Sequence, residues 1–161
     1  MSDEAGLNLS SWVASVKEAM QDTTMMLGFD VDGVEEQPAT PSGLRGAHIA
    51  LVGNHCAVQL GVLSTAEGSQ RLAQAMLEAE EELPEEDVAD AMGEIANILV
   101  GVMKGAMIHL DEGLKLGLPV FVEGRLEPIA NTPSSTLLFQ LGDVPLTIAV
   151  SVGAPDAQKA A

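Results

Sequence analysis

AMGEIANILVGVMKG, residues 91–105, reads as the inner part of a long apolar helix. Asn97 interrupts it, set among Ile95, Ala96, Ile98, Leu99 and Val100, with Gly101 one turn later. Asparagine and glycine are both poor helix formers, so their place here needs a cause. At roughly 100° per residue, Asp87, Asp90, Glu94, Asn97, Gly101 and Lys104 fall in one narrow stripe. Val88, Met92, Ile95, Leu99, Met103 and Ala106 lie opposite, and Ile98, Val100 and Val102 widen the apolar surface. The helix is therefore expected to be buried on most sides, with a thin polar line left over. Glu94 and Asn97 stand beside each other on that line, at i and i+3. Gly101 leaves bare backbone below Asn97, where a partner could approach closely. Periodicity alone gives the same stripe for a solvent face on an amphipathic helix.

Outward from this helix, Pro84 suits its first turn, and Glu85, Glu86 and Asp87 complement its dipole. The helix is expected to end near Met107. Residues 8–27 read as another helix, capped by Ser10 or Ser11 and closed by Gly28. Ser64 is expected to cap a third, running to about Glu78, with Glu67 completing a capping box. Residues 29–43 begin as a short strand and become a proline-containing acidic loop. Residues 46–63 read as a hairpin turning at Gly53-Asn54, with Cys56, Val58, Leu60 and Val62 alternating onto one face. Residues 109–119 read as irregular or a short helix. Strands follow at 120–122, 135–141 and 147–152, and residues 153–161 read as frayed. No internal repeat is visible in the sequence. The order predicts an α+β fold, an antiparallel sheet with three main helices, as one domain over 1–161 with a core at about 8–152.

Hydrophobic residues make up 47% of the chain and aromatics 2%, so the core must be aliphatic. The formal net charge of −17 excludes nucleic acid and an anionic membrane surface as partners, since phosphates want clustered Lys and Arg. A lone Cys56 excludes an internal disulfide and fits a reducing compartment. No signal peptide and no run of ~20 apolar residues is visible, so the expected location is cytoplasmic, without membrane insertion. His55-Cys56 with His48 and His109 invites a zinc reading, but adjacent strand residues point to opposite faces and no second close ligand pair exists. DVDGVEEQ (30–37) fails the calcium-loop pattern, with glycine at position 4 rather than 6. No phosphate-binding glycine loop is present.

Asp90, Glu94 and Asn97, with Gly101 and Lys104 beyond, resemble the signature helix of the CheC/CheX family of chemotaxis phosphatases. LGLPVFVEG (116–124) is similar to that family's segment in which a proline opens a strand after the signature helix. VASVKEAMQDTTMMLGFDV (13–31) resembles its first helix and exit, and the order of elements agrees over residues 8–152. CheC-type members carry a second Glu–Asn pair on the first helix. Here Glu18 is followed at +3 by Gln21, so the single intact motif is closest to CheX.

The resemblance implies a phosphatase acting on the aspartyl phosphate of a CheY-type receiver domain, in chemotaxis or related two-component signalling. It implies catalytic roles for Asn97 and Glu94, and partner contacts from Asp90, Gly101 and Lys104. It implies no cofactor or metal in this chain, with Mg²⁺ carried by the receiver, and a homodimer. The alternative on the same fold is a non-catalytic receiver-binding adaptor or a flagellar-switch-type interaction protein.

Overall fold

The computed structural model describes residues 8–124 and 131–155. Three helices, α1 (Leu9–Leu27), α2 (Ala66–Leu77) and α3 (Glu85–Met107), pack on one face of an antiparallel sheet. Its strands are β1 (Gly33–Gln37), β2 (Leu44–Val52), β3 (Ala57–Ser64), β4 (Lys115–Leu116), β5 (Val120–Gly124), β6 (Ser134–Leu141) and β7 (Val144–Gly153). They lie in the order β1-β6-β7-β3-β2, and β4 and β5 both pair with the outer side of β2. The expected α+β architecture is what forms.

One parity of each central strand faces the helices. Ala47, Ile49 and Leu51, Val58, Leu60 and Val62, Leu137, Phe139 and Leu141, and Leu146, Ile148 and Val150 all join the aliphatic core. From the helices come Trp12, Val16 and Met20, Leu72 and Ala73, and the apolar sides of α3. α3 crosses β2 and touches both α1 and α2, so it is buried on three sides.

The topology has a two-fold character that the sequence does not display. If α1-β1-β2-β3 is exchanged with α3-β5-β6-β7, the strand order reads the same from the other end. Each half lends its outer strand to the other: β1 pairs with β6, and β5 pairs with β2.

Several local expectations shift. Asn8, not Ser10 or Ser11, caps α1, accepting from Ser11 N at 3.0 Å. Gly28 closes that helix as expected, at φ 79°. Thr65, not Ser64, caps α2, accepting from Gly68 N at 2.9 Å. This one-residue shift puts Gly68 where a capping-box glutamate would stand, so Glu67 cannot complete one. Ser64 Oγ instead donates to Pro145 O at 2.5 Å and so ties α2's entry to β7. Pro84 stands just before α3 rather than inside its first turn. The strand expected at the start of 29–43 forms later, at Gly33–Gln37. Because β1 and β2 lie on opposite sides of the sheet, residues 38–43 must cross it. Four interstrand steps are roughly 19 Å, within the ~25 Å that the seven residue steps from Gln37 to Leu44 can reach, so the strap spans the sheet with bends at 38–39 and 42–43. Thr40 lies buried on it, its Oγ1 3.2 Å from Thr136 Oγ1 on the sheet face away from the helices.

The β2–β3 turn is not a two-residue Gly-Asn turn. The ladder ends at Val52↔Ala57, leaving residues 53–56 as a loop. Asp111, only 1% exposed, holds it. Its carboxylate accepts from Asn54 N (3.0 Å), His55 N (2.8 Å) and Gly113 N (3.0 Å). Burial works against the charged form, but these three backbone donors outweigh it and lower the Asp111 pKa below its ordinary value. Cys56 belongs to this loop rather than to the strand. Its burial, then the Asp111 carboxylate, push the thiol up to about 11 against the opposing pull of the Trp12 indole. The segment 109–119, expected as irregular or helical, is this latch followed by β4.

Candidate functional site

α3 is positioned by its own apolar sides. Val88, Met92, Ile95, Leu99 and Met103 are buried as the spacing requires, joined by Ala91, Ala96, Val100 and Met107. Ala106, expected on the buried side, is exposed. What remains open is the polar line: Asp90, Glu94 and Gly101 are exposed, and Asn97 and Lys104 are half-buried. Glu85, Glu86 and Asp87 sit in the first turn and Lys104 in the last, each complementing the helix dipole.

A shallow cleft of about 190 Å³ opens between this line and the sheet edge. Ala89, Asp90, Gly93, Glu94 and Asn97 form one wall, and Pro119 and Phe121 form the other. Gly93 faces Pro119 across it, and a Cβ placed there would stand 3.4 Å from Pro119 Cγ, in ordinary van der Waals contact. Arg45, on β2, braces both walls: Nη1 reaches Glu85 at 2.6 Å at the start of α3, and Nη2 reaches Glu123 at 2.8 Å on β5.

The edge strand breaks where it meets the cleft. β2 pairs Leu51 with Leu116 and His48 with Val120, so Gly117, Leu118 and Pro119 face only Ile49 and Ala50. One extra residue on the edge makes a β-bulge. Gly117 N still donates to Ala50 O at 2.8 Å. Pro119, which has no N–H to give the ladder, turns toward Gly93.

Among the described residues, no hydrogen bond or ion pair engages the side chains of Asp90, Glu94 or Asn97. The cleft lining contains two carboxylates, one amide and no cationic group. Lys104 lies seven residues beyond Asn97, roughly 10 Å along the helix. The arrangement offers an amide with free donor and acceptor positions beside a free carboxylate, on a rigid helix. Such a pair can orient a water and engage a cation brought by another molecule.

Residues 46–141 match the family model described as chemotaxis phosphatase CheX. The chain belongs to the CheX family. No curated protein matches it in sequence. Among solved structures, a CheC-like superfamily protein from Shewanella sp. PV-4 is similar at TM-score 0.72 and 17% identity, over 91% of this chain and 99% of that one. The chemotaxis protein CheX from Desulfovibrio desulfuricans is similar at TM-score 0.70 and 15% identity, over 87% and 97%. The CheX–CheY–BeF3–Mg complex from Borrelia burgdorferi gives TM-score 0.67 and 15% identity, over 87% and 94%. At these identities the likeness is one of fold.

Of the five site residues read from the sequence of this CheX-family chain, Asp90, Glu94 and Asn97 meet in the cleft. Gly101 and Lys104 continue the same helix line outside it. A Cβ at Gly101 would meet nothing within 4 Å, so its backbone is open to a neighbour. Sequence reasoning missed Gly93 and Phe121 as walls. A glycine on the helix three residues after Asp90, and an aromatic on an edge strand two residues after Pro119, are the signals that could have found them. Among the described residues, no three His, Cys, Asp or Glu side chains gather as a metal site, and no helix is long and apolar enough to cross a membrane.

Proposed function

We propose that this chain hydrolyses the aspartyl phosphate of a CheY-type receiver domain. The observation that carries the reading is the unengaged Glu94/Asn97 pair in an open cleft on the α3 of a CheX-family chain. An acyl phosphate is already activated, so catalysis needs positioning and charge stabilisation rather than a covalent nucleophile. Asn97 holds a water in line with the bond to the aspartyl oxygen. The water oxygen bonds to phosphorus, the P–O bond to the aspartate breaks, and the carboxylate leaves with its electron pair. The water's proton ends on the released inorganic phosphate or the solvent. Glu94 pairs with a lysine of the receiver and fixes the helix against its pocket. An aspartate in place of Asn97 would face the phosphoryl group with like charge. Asp90, Gly101 and Lys104 contact the partner along the helix. Mg²⁺ belongs to the receiver, and the chain acts as a homodimer in the cytoplasm, as the family resemblance implies.

The test phosphorylates candidate response regulators with a small-molecule donor and follows phosphate loss. Wild type should accelerate it, and Asn97→Ala should abolish the acceleration, with a loss of at least 10²-fold. Glu94→Ala should weaken it chiefly through receiver affinity. Acceleration that survives Asn97→Ala would sink the mechanism, and binding without acceleration would select the adaptor.

A further inference from the structure

We infer that Arg45 is a positioning residue that holds the far wall of the cleft against the water on Asn97; this rests on the proposed function. Arg45 does not itself line the cleft. It alternates with Ala47, Ile49 and Leu51 onto the helix face of β2, and its side chain is 22% exposed. Its two partners belong to the two walls. Glu85 starts the ridge of α3 that continues, four residues at a time, through Ala89, Gly93 and Asn97. Glu123 stands directly opposite Arg45 on β5, on the same strand face as Phe121. One guanidinium thus ties the ridge that carries Asn97 to the strand that carries the opposite wall.

Side chains do little to prop the gap. Ala89 and Gly93 offer it a methyl and a hydrogen. β5 is an edge strand that pairs with β2 alone, and the bulge before Val120 breaks the ladder at its cleft end. Nor is the clamp an arrangement that stability favours. Both carboxylates are exposed, and exposed ion pairs add little. Arg45 Nε is buried without an acceptor among the described residues, which works against the fold. What a planar fork on two carboxylates, at 2.6 and 2.8 Å, does fix is the distance and angle between the elements that carry them. In a cleft of about 190 Å³, that spacing decides how many positions a water beside Asn97 can take. Asn97 holds the water from one side only, so a wall that drifts outward leaves it in line for part of the time.

Arg45→Met keeps an apolar stem and removes the fork. Its kcat on the phosphorylated receiver should fall about tenfold. KM, and affinity for the beryllofluoride- and Mg²⁺-loaded receiver, should stay within about twofold, since Glu94 is untouched. Glu85→Gln and Glu123→Gln, at exposed positions, should each lower kcat about threefold, and adding either to Arg45→Met should change nothing further. Arg45→Lys supplies a point charge in place of the fork and should recover kcat only in part. In Arg45→Met the β5 amides should exchange with deuterium about tenfold faster, with those of α3 unchanged. Arg71→Met, which breaks the exposed pair to Asp143 outside the cleft, should alter none of these. Undiminished kcat in Arg45→Met, or a loss confined to KM, would overturn the inference while leaving the hydrolysis reading standing. A fall in kcat with faster exchange throughout α3 would also overturn it, as a general loosening of the fold. No hydrolysis by wild type would overturn both.

Discussion

Asp111→Asn is the substitution whose cost the structure sets most directly. Asp111 is buried, and its two oxygens accept three backbone N–H groups: Oδ1 from Asn54 and Gly113, Oδ2 from His55. Asparagine can keep one acceptor oxygen for the first pair. Its NH2 group then faces the His55 N–H, donor against donor, where 2.8 Å separated the partners before. A buried donor left without an acceptor costs about 1–3 kcal/mol, and the two surviving bonds lose their charge assistance. The sum is about 3 kcal/mol. Urea unfolding followed by the fluorescence of buried Trp12 should show the midpoint falling by about 1–1.5 M at an m-value of ~2–3 kcal/mol/M. The pH dependence supplies a second readout. The folded Asp111 pKa is depressed, so its contribution is present above the unfolded value and is lost as pH falls through the folded one. Wild type should therefore lose this stability on acidification below about pH 4, and the Asn variant should lack that component. A destabilisation under about 0.5 kcal/mol with an unchanged acid profile would refute the latch, since it would place the cost within the range of ordinary surface substitutions.

Gly101→Ala should stabilise the isolated chain by about 1 kcal/mol, raising Tm by ~2–4 °C in calorimetry, because nothing crowds a Cβ there and α3 gains a better helix former. The same variant should weaken receiver binding if the partner's backbone packs against that bare turn. Cys56 should resist alkylation at pH 7–8 in the folded chain and react on unfolding, since it is buried and its thiol is pushed up to about 11. Rapid native labelling by mass spectrometry would show the 53–56 loop open.

How far the sequence spoke differed by element. The 3.6-residue spacing of Val88, Met92, Ile95, Leu99 and Met103 fixes α3 and, by exclusion, its polar line, because burial on three sides leaves only one solution. Asp90, Glu94 and Asn97 were legible for that reason. The far wall of the cleft was not. Pro119 and Phe121 reach it through a bulge whose register depends on β2, more than sixty residues earlier, and no local pattern encodes such a pairing. Asp111 was hidden for the same cause: its partners Asn54 and His55 lie across the fold, and an aspartate in HLDEG reads as solvent-facing. The caps failed by a single residue at Thr65. Ser64 and Thr65 are chemically equivalent candidates, and Ser64's place in the β3 ladder opposite Arg45 and its bond to Pro145 separate them. Ala106 is exposed although Met103 and Met107 are buried, because in the last turn only the Met103–Met107 side of α3 is still covered.

The exchange of outer strands between the two halves has a consequence for how the molecule comes into being. α3 and β5 are close in sequence, yet β5 is held by β2, synthesised long before. Until the first half has folded, β5 has no β2 to pair with, and Pro119 and Phe121 cannot be set beside α3. Assembly is accordingly non-local and slow compared with a helical bundle. The cleft therefore exists only once both halves have traded strands.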